Sequence, residues 1–176
     1  MLWLWRNGHG GDHAREVSDR ERPLGLAGQA SWSKERLGCM LVAVGAVILD
    51  DNDRVLLVKH KKERGGYWQG KWICPGGALE LGEEIEEGIK REVREETNLE
   101  IELVRPLIPF DRIVKTNEET SLHVIYIDYV AKLLGGELNV ASDVGEALWV
   151  EKKDIPKIWQ DLHWDTQRLL EIAGFV

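Results

Sequence analysis

Cysteine is scarce in this sequence, where Cys39 and Cys74 are the only two among 176 residues. Two cysteines are too few for a disulfide framework, and neither lies in a CxxC pair or a Cys/His cluster that would predict a zinc site. We therefore expect free thiols in a reducing compartment and predict a cytoplasmic protein.

Long hydrophobic runs are also missing. The opening stretch MLWLW is followed by Arg6, and its five residues are too short for a signal sequence or a membrane span. No later run approaches the roughly 18 apolar residues that cross a bilayer. We predict no membrane partner.

Positive charge is in deficit, with 23 Lys and Arg against 31 Asp and Glu and a net charge of -8. No stripe of basic residues is present that would follow a nucleic-acid backbone, so we predict no nucleic-acid partner. An anionic ligand would instead need a metal ion to offset its repulsion from the protein.

Patterning divides the chain in two. Residues 1–39 show no sustained period and are expected to be a loosely ordered N-terminal extension, which could cover a dimer interface. Regular patterning begins at Met40, so we predict a domain over residues 40–176. Met40 is a second candidate start codon, which Met1-derived peptides from the native protein would contradict. The 43% hydrophobic content is enough for one globular core.

The domain is predicted to mix strands and helices. MLVAVGAVIL and RVLLVKH are β-branched runs joined by an Asx-rich turn, and three more strand patterns follow in IELVRPLIPFDRIV, LHVIYIDYVAKLL and ALWVEKK. One helix is predicted over residues 83–97. An amphipathic helix is predicted over DIPKIWQDLHWDTQRLLEIAG, with Asp154 as N-cap and Gly174 at its end. This order indicates an α/β fold, a mixed sheet with helices packed on it.

Glutamate crowds the first predicted helix, and a projection at about 100° per residue separates two of its faces. The apolar stripe, predicted to be buried, is Ile85, Ile89 and Val93. Glu84, Glu86 and Glu87 face away from that stripe, so a solvated charged surface is sufficient to explain them.

Glu92, Glu95 and Glu96 fall beside the apolar stripe instead. Their spacing puts them within one turn of each other, where like charges repel and burial removes hydration. A hard divalent cation explains the crowding, because Mg²⁺ takes carboxylate, water and phosphate oxygens as ligands. Gly88, one turn earlier, would let the preceding loop lie close, and Arg91 would orient the carboxylates or offset their charge.

These positions match a known sequence motif. Residues 77–99 resemble the box of the Nudix hydrolase family (MutT-like), G-x5-E-x7-R-E-U-x-E-E-x-G-U, where U is a bulky aliphatic residue. The matching residues are Gly77, Glu83, Arg91, Glu92, Val93, Glu95, Glu96 and Leu99. Asn98 stands where the family has glycine. Asparagine is the non-glycine residue that best tolerates the left-handed conformation at a helix end, so we expect a conservative change.

The resemblance implies an α/β/α sandwich with a mixed β-sheet over residues 40–176. It implies an enzyme that uses Mg²⁺ or Mn²⁺ to cleave the diphosphate linkage of a nucleoside diphosphate derivative. ADP-ribose-like compounds, nucleotide sugars and (d)NTPs are the substrates that it leaves open. Many members are dimers, which makes a homodimer one candidate assembly.

Site residues follow from the same resemblance. It implies that Glu92, Glu95 and Glu96 bind the metal, that the backbone carbonyl of Gly77 is a further ligand, and that Glu83 supports the cluster.

Proton transfer requires a further group. The resemblance implies a catalytic role for Arg91 and for a later glutamate, which is Glu146 in DVGEALWV, with Glu137 in GGEL as its rival. Either Glu92 or Glu146 would be the general base that takes a proton from the attacking water.

Substrate contacts lie outside the box. Phe110 is a candidate for stacking on a nucleobase, and Arg112 and Lys59 are candidates for phosphate binding, although core packing or a surface role would also explain each residue. Further candidates are Tyr67, Trp68, Tyr126 and His123.

Other functions share this fold. The main alternative is a non-hydrolytic nucleotide-binding sensor, but such proteins usually lose box carboxylates, and this chain keeps them all. An isomerase or an RNA-decapping enzyme is a second alternative, against which the short chain and its acidic balance count.

Overall fold

The computed structural model describes residues 39–61, 63 and 66–176. Apart from Cys39, the predicted N-terminal extension lies outside the described residues, and its loose order stays a prediction. The elements are β1 (Cys39–Leu49), β2 (Arg54–His60), β3 (Gly76–Ala78), α1 (Ile85–Thr97), β4 (Leu99–Pro106), β5 (Phe110–Thr116), β6 (Glu119–Gly136), β7 (Val144–Glu151), a 3₁₀ helix (Lys152–Asp161) and α2 (Trp164–Ala173).

The strands form one mixed, seven-stranded sheet with the main order β4-β6-β1-β2-β7. β1 runs parallel to β6 along its whole length, whereas the other strand pairs are antiparallel. β6 is 18 residues long, so its first half pairs with β5 and its second half with β4. The predicted mixed sheet is confirmed.

Alternation along the strands divides the core into two layers. Ala46 and Ile48 of β1 belong to a buried cluster with Ile89 of α1, whereas Val47 belongs to a cluster with Leu170 of α2. Successive side chains of a strand point to opposite faces. The sheet therefore lies between α1 and α2, which confirms the predicted α/β/α sandwich.

Burial along α1 begins at Gly88. Ile89 and Val93 are fully buried, as predicted, but Ile85 is 37% exposed. The prediction of burial at Ile85 is wrong because this residue opens the helix, one turn before its side chains reach the sheet.

Asn98 ends α1 in the left-handed conformation, with φ 60° and ψ 24°. Its backbone N–H donates to the carbonyl of Arg94, and its side-chain amide donates to the carbonyl of Glu137 at 3.1 Å. The expectation that asparagine replaces glycine conservatively at this conformation agrees with the geometry.

The predicted C-terminal helix is two elements, and its prediction as one is wrong. Pro156 lies inside the 3₁₀ helix. Because proline has no N–H to donate, it disfavours one continuous α-helix over this segment. His163, and not Asp154, is the N-cap of α2, where its side chain accepts a hydrogen bond from the backbone of Asp165. Gly174 ends α2 in the left-handed conformation, as predicted. Among the described residues, no helix has both the length and the apolar character to cross a membrane.

We expect Asn98→Ala to lower the free energy of unfolding by about 1 kcal/mol, because alanine loses the side-chain hydrogen bond to the carbonyl of Glu137 and tolerates the left-handed conformation less well than asparagine. Asn98→Gly loses the same hydrogen bond but has no left-handed strain, so it should stay closer to the parent than alanine does. Urea unfolding followed by tryptophan fluorescence measures both. Asn52→Ala, at an exposed turn position, is the control, and equal effects of alanine and glycine at residue 98 would contradict the account.

Candidate active site

Two glycines bring the chain before α1 close to its carboxylates. A Cβ on Gly77 would overlap the carboxylate of Glu92, so any larger residue there would displace this carboxylate from its place beside β3. A Cβ on Gly88 would lie 2.9 Å from both Glu83 Oε2 and Leu79 Cδ1. The close approach of the preceding loop that the sequence predicts at Gly88 is confirmed.

Arg91 connects the carboxylates of this region. Its Nε and Nη2 donate to the two oxygens of Glu83 at 2.7 and 2.9 Å, and Nη1 donates to Glu92 Oε1 at 2.9 Å. Nη2 also donates to the carbonyl of Ala78 at 3.1 Å, and Nη1 lies 3.4 Å from Glu95 Oε2. The guanidinium therefore fixes Glu83 and Glu92 relative to the end of β3.

The carboxylates beside Arg91 are electrostatically unlike. Hydrogen bonding to Arg91 holds the pKa of Glu83 below its ordinary value. Burial raises the pKa of Glu92; Arg91 opposes that rise, and the charges of Glu95 and Asp143 add to it. The carboxylates in turn raise the pKa of Arg91, so the guanidinium is a permanent cation.

Glu96 is the most buried of the predicted metal ligands, at 3% exposure. Its Oε2 accepts a hydrogen bond from the backbone N–H of Gly76 at 3.0 Å. By contrast, the Glu95 side chain is 53% exposed, so the expectation that it lies against the core is wrong.

His60 and Asp143 join this cluster, and the sequence reasoning missed both. His60 Nε2 lies 3.6 Å from Glu96 Oε1, and Nδ1 lies 3.7 Å from Asp143 Oδ2. One ligand atom from each of the three residues lies within 4.8 Å of the others. The available clues were weak: His60 ends an apolar strand, and Asp143 stands three residues before the predicted Glu146.

The donor set fits a hard divalent cation. The cluster contains five carboxylates around Arg91 and His60; they are Glu83, Glu92, Glu95, Glu96 and Asp143. Carboxylates that lose hydration need a cation nearby, and Mg²⁺ and Mn²⁺ both accept such oxygen ligands.

Lys59 and Glu146 lie together, but outside the group formed by Glu96, His60 and Asp143. They face each other across the β2–β7 pair, with Lys59 Nζ 4.0 Å from Glu146 Oε1.

The neighbours of this ion pair belong to the α2 side of the sheet. Lys59 Nζ lies 4.9 Å from the centre of the Trp72 ring, and Trp72 packs against the cluster that contains α2. Glu146 and Trp72 line a cavity of about 560 Å³.

Phe110 and Arg112, predicted to bind substrate, are brought together on β5. Both line a cavity of about 460 Å³ that α2 closes with Trp164 and Arg168. The Phe110 ring stacks on Tyr126 with centroids 4.6 Å apart and planes at 14°, and the Arg112 guanidinium lies over the Trp164 ring.

A second buried polar group lies beside this cavity. The Tyr126 hydroxyl donates to Asp165 Oδ2 at 2.5 Å and accepts from Trp68 Nε1 at 3.2 Å. Burial, together with the charge of Asp165, raises the pKa of Asp128 to about 7. Within the described part of the chain, Asp128 Oδ2 and Asp165 Oδ1 have no hydrogen-bond partner, and Arg112 Nε lies 3.6 Å from Asp165.

Sequence reasoning also missed these two aspartates, although an aspartate in the alternating run VIYIDYVA was a usable clue. The remaining candidates have ordinary neighbours. Tyr67 packs edge-on against Trp68 with centroids 5.3 Å apart, and His123 pairs with Asp111 at 2.9 Å. Glu137 presents its carbonyl to the end of α1.

Comparison with known proteins identifies the family. A model of the NUDIX domain matches residues 40–170. The chain belongs to the Nudix hydrolase family. The predicted family is confirmed, and the residues of the predicted box lie on β3, in the loop after it, on α1 and at Leu99.

Relatives within the Nudix family have named activities. An ADP-ribose pyrophosphatase of Methanocaldococcus jannaschii is 35% identical over 117 residues, which cover 66% of this chain and 65% of that protein. The nucleoside triphosphatase NudI of Escherichia coli is 26% identical over 135 residues, which cover 73% of this chain and 94% of that protein. These matches support the predicted class of pyrophosphohydrolase.

A solved Nudix structure confirms the fold. The crystal structure of a MutT NUDIX hydrolase from Burkholderia pseudomallei is similar with a TM-score of 0.64 and 29% identity, and the match covers 77% of this chain and 98% of that one.

We expect Glu92→Gln to stabilise the metal-free Nudix domain near neutral pH. Because the folded-state pKa of Glu92 is raised, its contribution to stability is full below the unfolded-state pKa and is lost as the pH rises through the folded-state pKa. Glutamine keeps an acceptor for Arg91 without the buried charge. Thermal unfolding at about pH 7 and about pH 4 measures the difference, with the exposed Glu84→Gln as control. A lower melting temperature for Glu92→Gln at neutral pH would contradict this account.

Proposed function

We propose that the protein hydrolyses the diphosphate linkage of a nucleoside diphosphate derivative, with Mg²⁺ or Mn²⁺ as its metal. One observation carries the proposal: Glu96 accepts from the N–H of Gly76 and Glu92 lies against Gly77, so carboxylates flank a backbone that no side chain obstructs. Arg91 holds Glu92 in that position.

Glu92, Glu95 and Glu96 would hold the metal, with the backbone carbonyl of Gly77 as a further ligand. When bound, the ion offsets the charge of the diphosphate and lowers the pKa of the attacking water. Arg91 keeps the carboxylates oriented, because a cation with a raised pKa stays charged throughout the neutral range.

We assign the general base to Glu92 in preference to Glu146. Glu92 lies within the carboxylate cluster, against Gly77, where the attacking water would be bound. Glu146 is paired with Lys59 across the β2–β7 ladder, outside the carboxylate cluster of α1.

The nucleoside would lie on the other face of the sheet. Phe110 offers a ring for stacking and Arg112 a cation beside it, both at the cavity of about 460 Å³. Asp128 Oδ2, which has no hydrogen-bond partner among the described residues, suits a base edge that presents an N–H group, because buried acceptors gain most from a donor.

The first compounds to test follow from the names of the two relatives, which make ADP-ribose and nucleoside triphosphates the leading substrates. Nucleotide sugars, dinucleoside polyphosphates and oxidised (d)NTPs complete the panel. Release of neither phosphate nor nucleotide from any of them would favour the non-hydrolytic sensor.

A cytoplasmic location and a homodimer belong to the proposal as well. The scarcity of cysteine supports the location. Light scattering of the purified full chain at several concentrations tests the assembly.

We expect Glu96→Gln to lower metal-dependent turnover of the best substrate by about 100-fold or more, because it removes a charged metal ligand from a buried position. Turnover is measured with product identification, with and without Mg²⁺. Glu87→Gln, on the outward face of the same helix, is the matched control and should keep the parent rate. Full turnover in Glu96→Gln would remove this residue from the metal site.

Phe110→Ala should raise KM for the preferred nucleotide about tenfold and leave kcat within about twofold, because stacking on a base contributes about 1–3 kcal/mol. Steady-state kinetics with the best panel compound measures both constants. Ile113→Ala, an exposed position on the same strand, is the control. An unchanged KM would exclude Phe110 from the nucleoside site.

A further inference from the structure

A β-bulge determines the position of His60. β2 and β7 pair residue by residue as far as Lys59 and Glu146, and the register then shifts so that His60 pairs with Val144. A bulge bends its strand and re-aims the side chain beside it. His60 is consequently buried at 8% exposure, next to the carboxylates of α1.

Backbone hydrogen bonds hold the loop before β7 against the same place. The N–H of Lys61 donates to the carbonyl of Asp143 at 2.8 Å, and the N–H of Ala141 donates to the carbonyl of Glu96 at 3.1 Å. The loop is thereby attached to the end of β2 on one side and to the last turn of α1 on the other. Asp143 is placed beside His60 by this attachment.

The two ring nitrogens of His60 face different carboxylates. Nε2 is nearer to Glu96, at 3.6 Å, and Nδ1 is nearer to Asp143, at 3.7 Å. A histidine that binds a metal through one nitrogen usually donates the N–H of the other to a carboxylate, which fixes its tautomer and its orientation. Asp143, His60 and Glu96 stand in this order, with one carboxylate at ion-pair distance from each ring nitrogen.

We propose that His60 Nε2 is a ligand of the metal ion bound by Glu96, and that Asp143 is the positioning residue that accepts the N–H of Nδ1. This inference rests on the proposed function only in taking Glu96 as a metal ligand. It assigns one nitrogen donor to a site whose other candidate donors are oxygens.

A nitrogen donor changes the preferred ion. Mg²⁺ prefers oxygen ligands and keeps much of its water, whereas first-row transition ions gain from imidazole. The site therefore favours Mn²⁺ over Mg²⁺, because His60 adds affinity for the first and little for the second.

The ligand assignment is tested by pulsed electron paramagnetic resonance of the full chain with Mn²⁺ alone. A directly bound imidazole gives ¹⁴N coupling, which is expected in the parent and lost in His60→Gln. The matched control is His123→Gln. It removes a histidine of β6 that pairs with Asp111 of β5, and it should keep the coupling. Absence of coupling in the parent, or its persistence in His60→Gln, would overturn the proposal.

Metal affinities give a second, independent test. His60→Gln should weaken Mn²⁺ binding by about tenfold or more and Mg²⁺ binding by less than about threefold. Asp143→Asn should weaken Mn²⁺ binding by about tenfold while the ¹⁴N coupling remains. Equal losses for the two ions in His60→Gln would overturn the predicted preference. Circular dichroism shows whether each variant folds. If a variant does not fold, the paramagnetic resonance spectrum of the parent still tests the ligand assignment.

The two proposals can fail separately. Nitrogen coupling in a protein that hydrolyses no compound of the panel would support this inference and overturn the proposed function. Hydrolysis without nitrogen coupling would support the proposed function and overturn this inference.

Discussion

Repulsion among partly buried carboxylates at the inner edge of α1 is the constraint on which the site depends. Arg91 relieves it by binding Glu83 on both oxygens and Glu92 on one, and the backbone N–H of Gly76 relieves it at Glu96. These bonds fix the positions of the carboxylates, and a cation bound among them would offset their charge further.

A short piece of chain joins the two polar groups that the sheet separates. Gly76 contacts Glu96 on the α1 side, and Cys74 is buried close enough to Asp128 that the aspartate helps to raise its pKa. The turn before β3 therefore connects the carboxylate cluster with the buried aspartate on the other side of the sheet.

The sequence predicts what depends on local spacing. The box on α1, the left-handed Asn98 and the alternating strands follow from patterns within a few turns or residues. Contacts between distant segments were not predictable: His60 meets Asp143 only because a register shift in the β2–β7 pair re-aims it. Pro156 is a sequence signal for a break, but the amphipathic pattern on both sides of it favours one continuous helix. A 3₁₀ helix also satisfies that pattern.

The parallel pairing of β1 with β6 has a consequence for how the chain folds. The two strands are distant in sequence, with α1 between them, so a long loop must close before the central ladder forms, and such closure is slow. Ile89 and Val93 pack in one cluster with residues of β1, β2 and β4 and with Ala131 of β6. The core that the carboxylates of α1 border is therefore complete only once this ladder has formed.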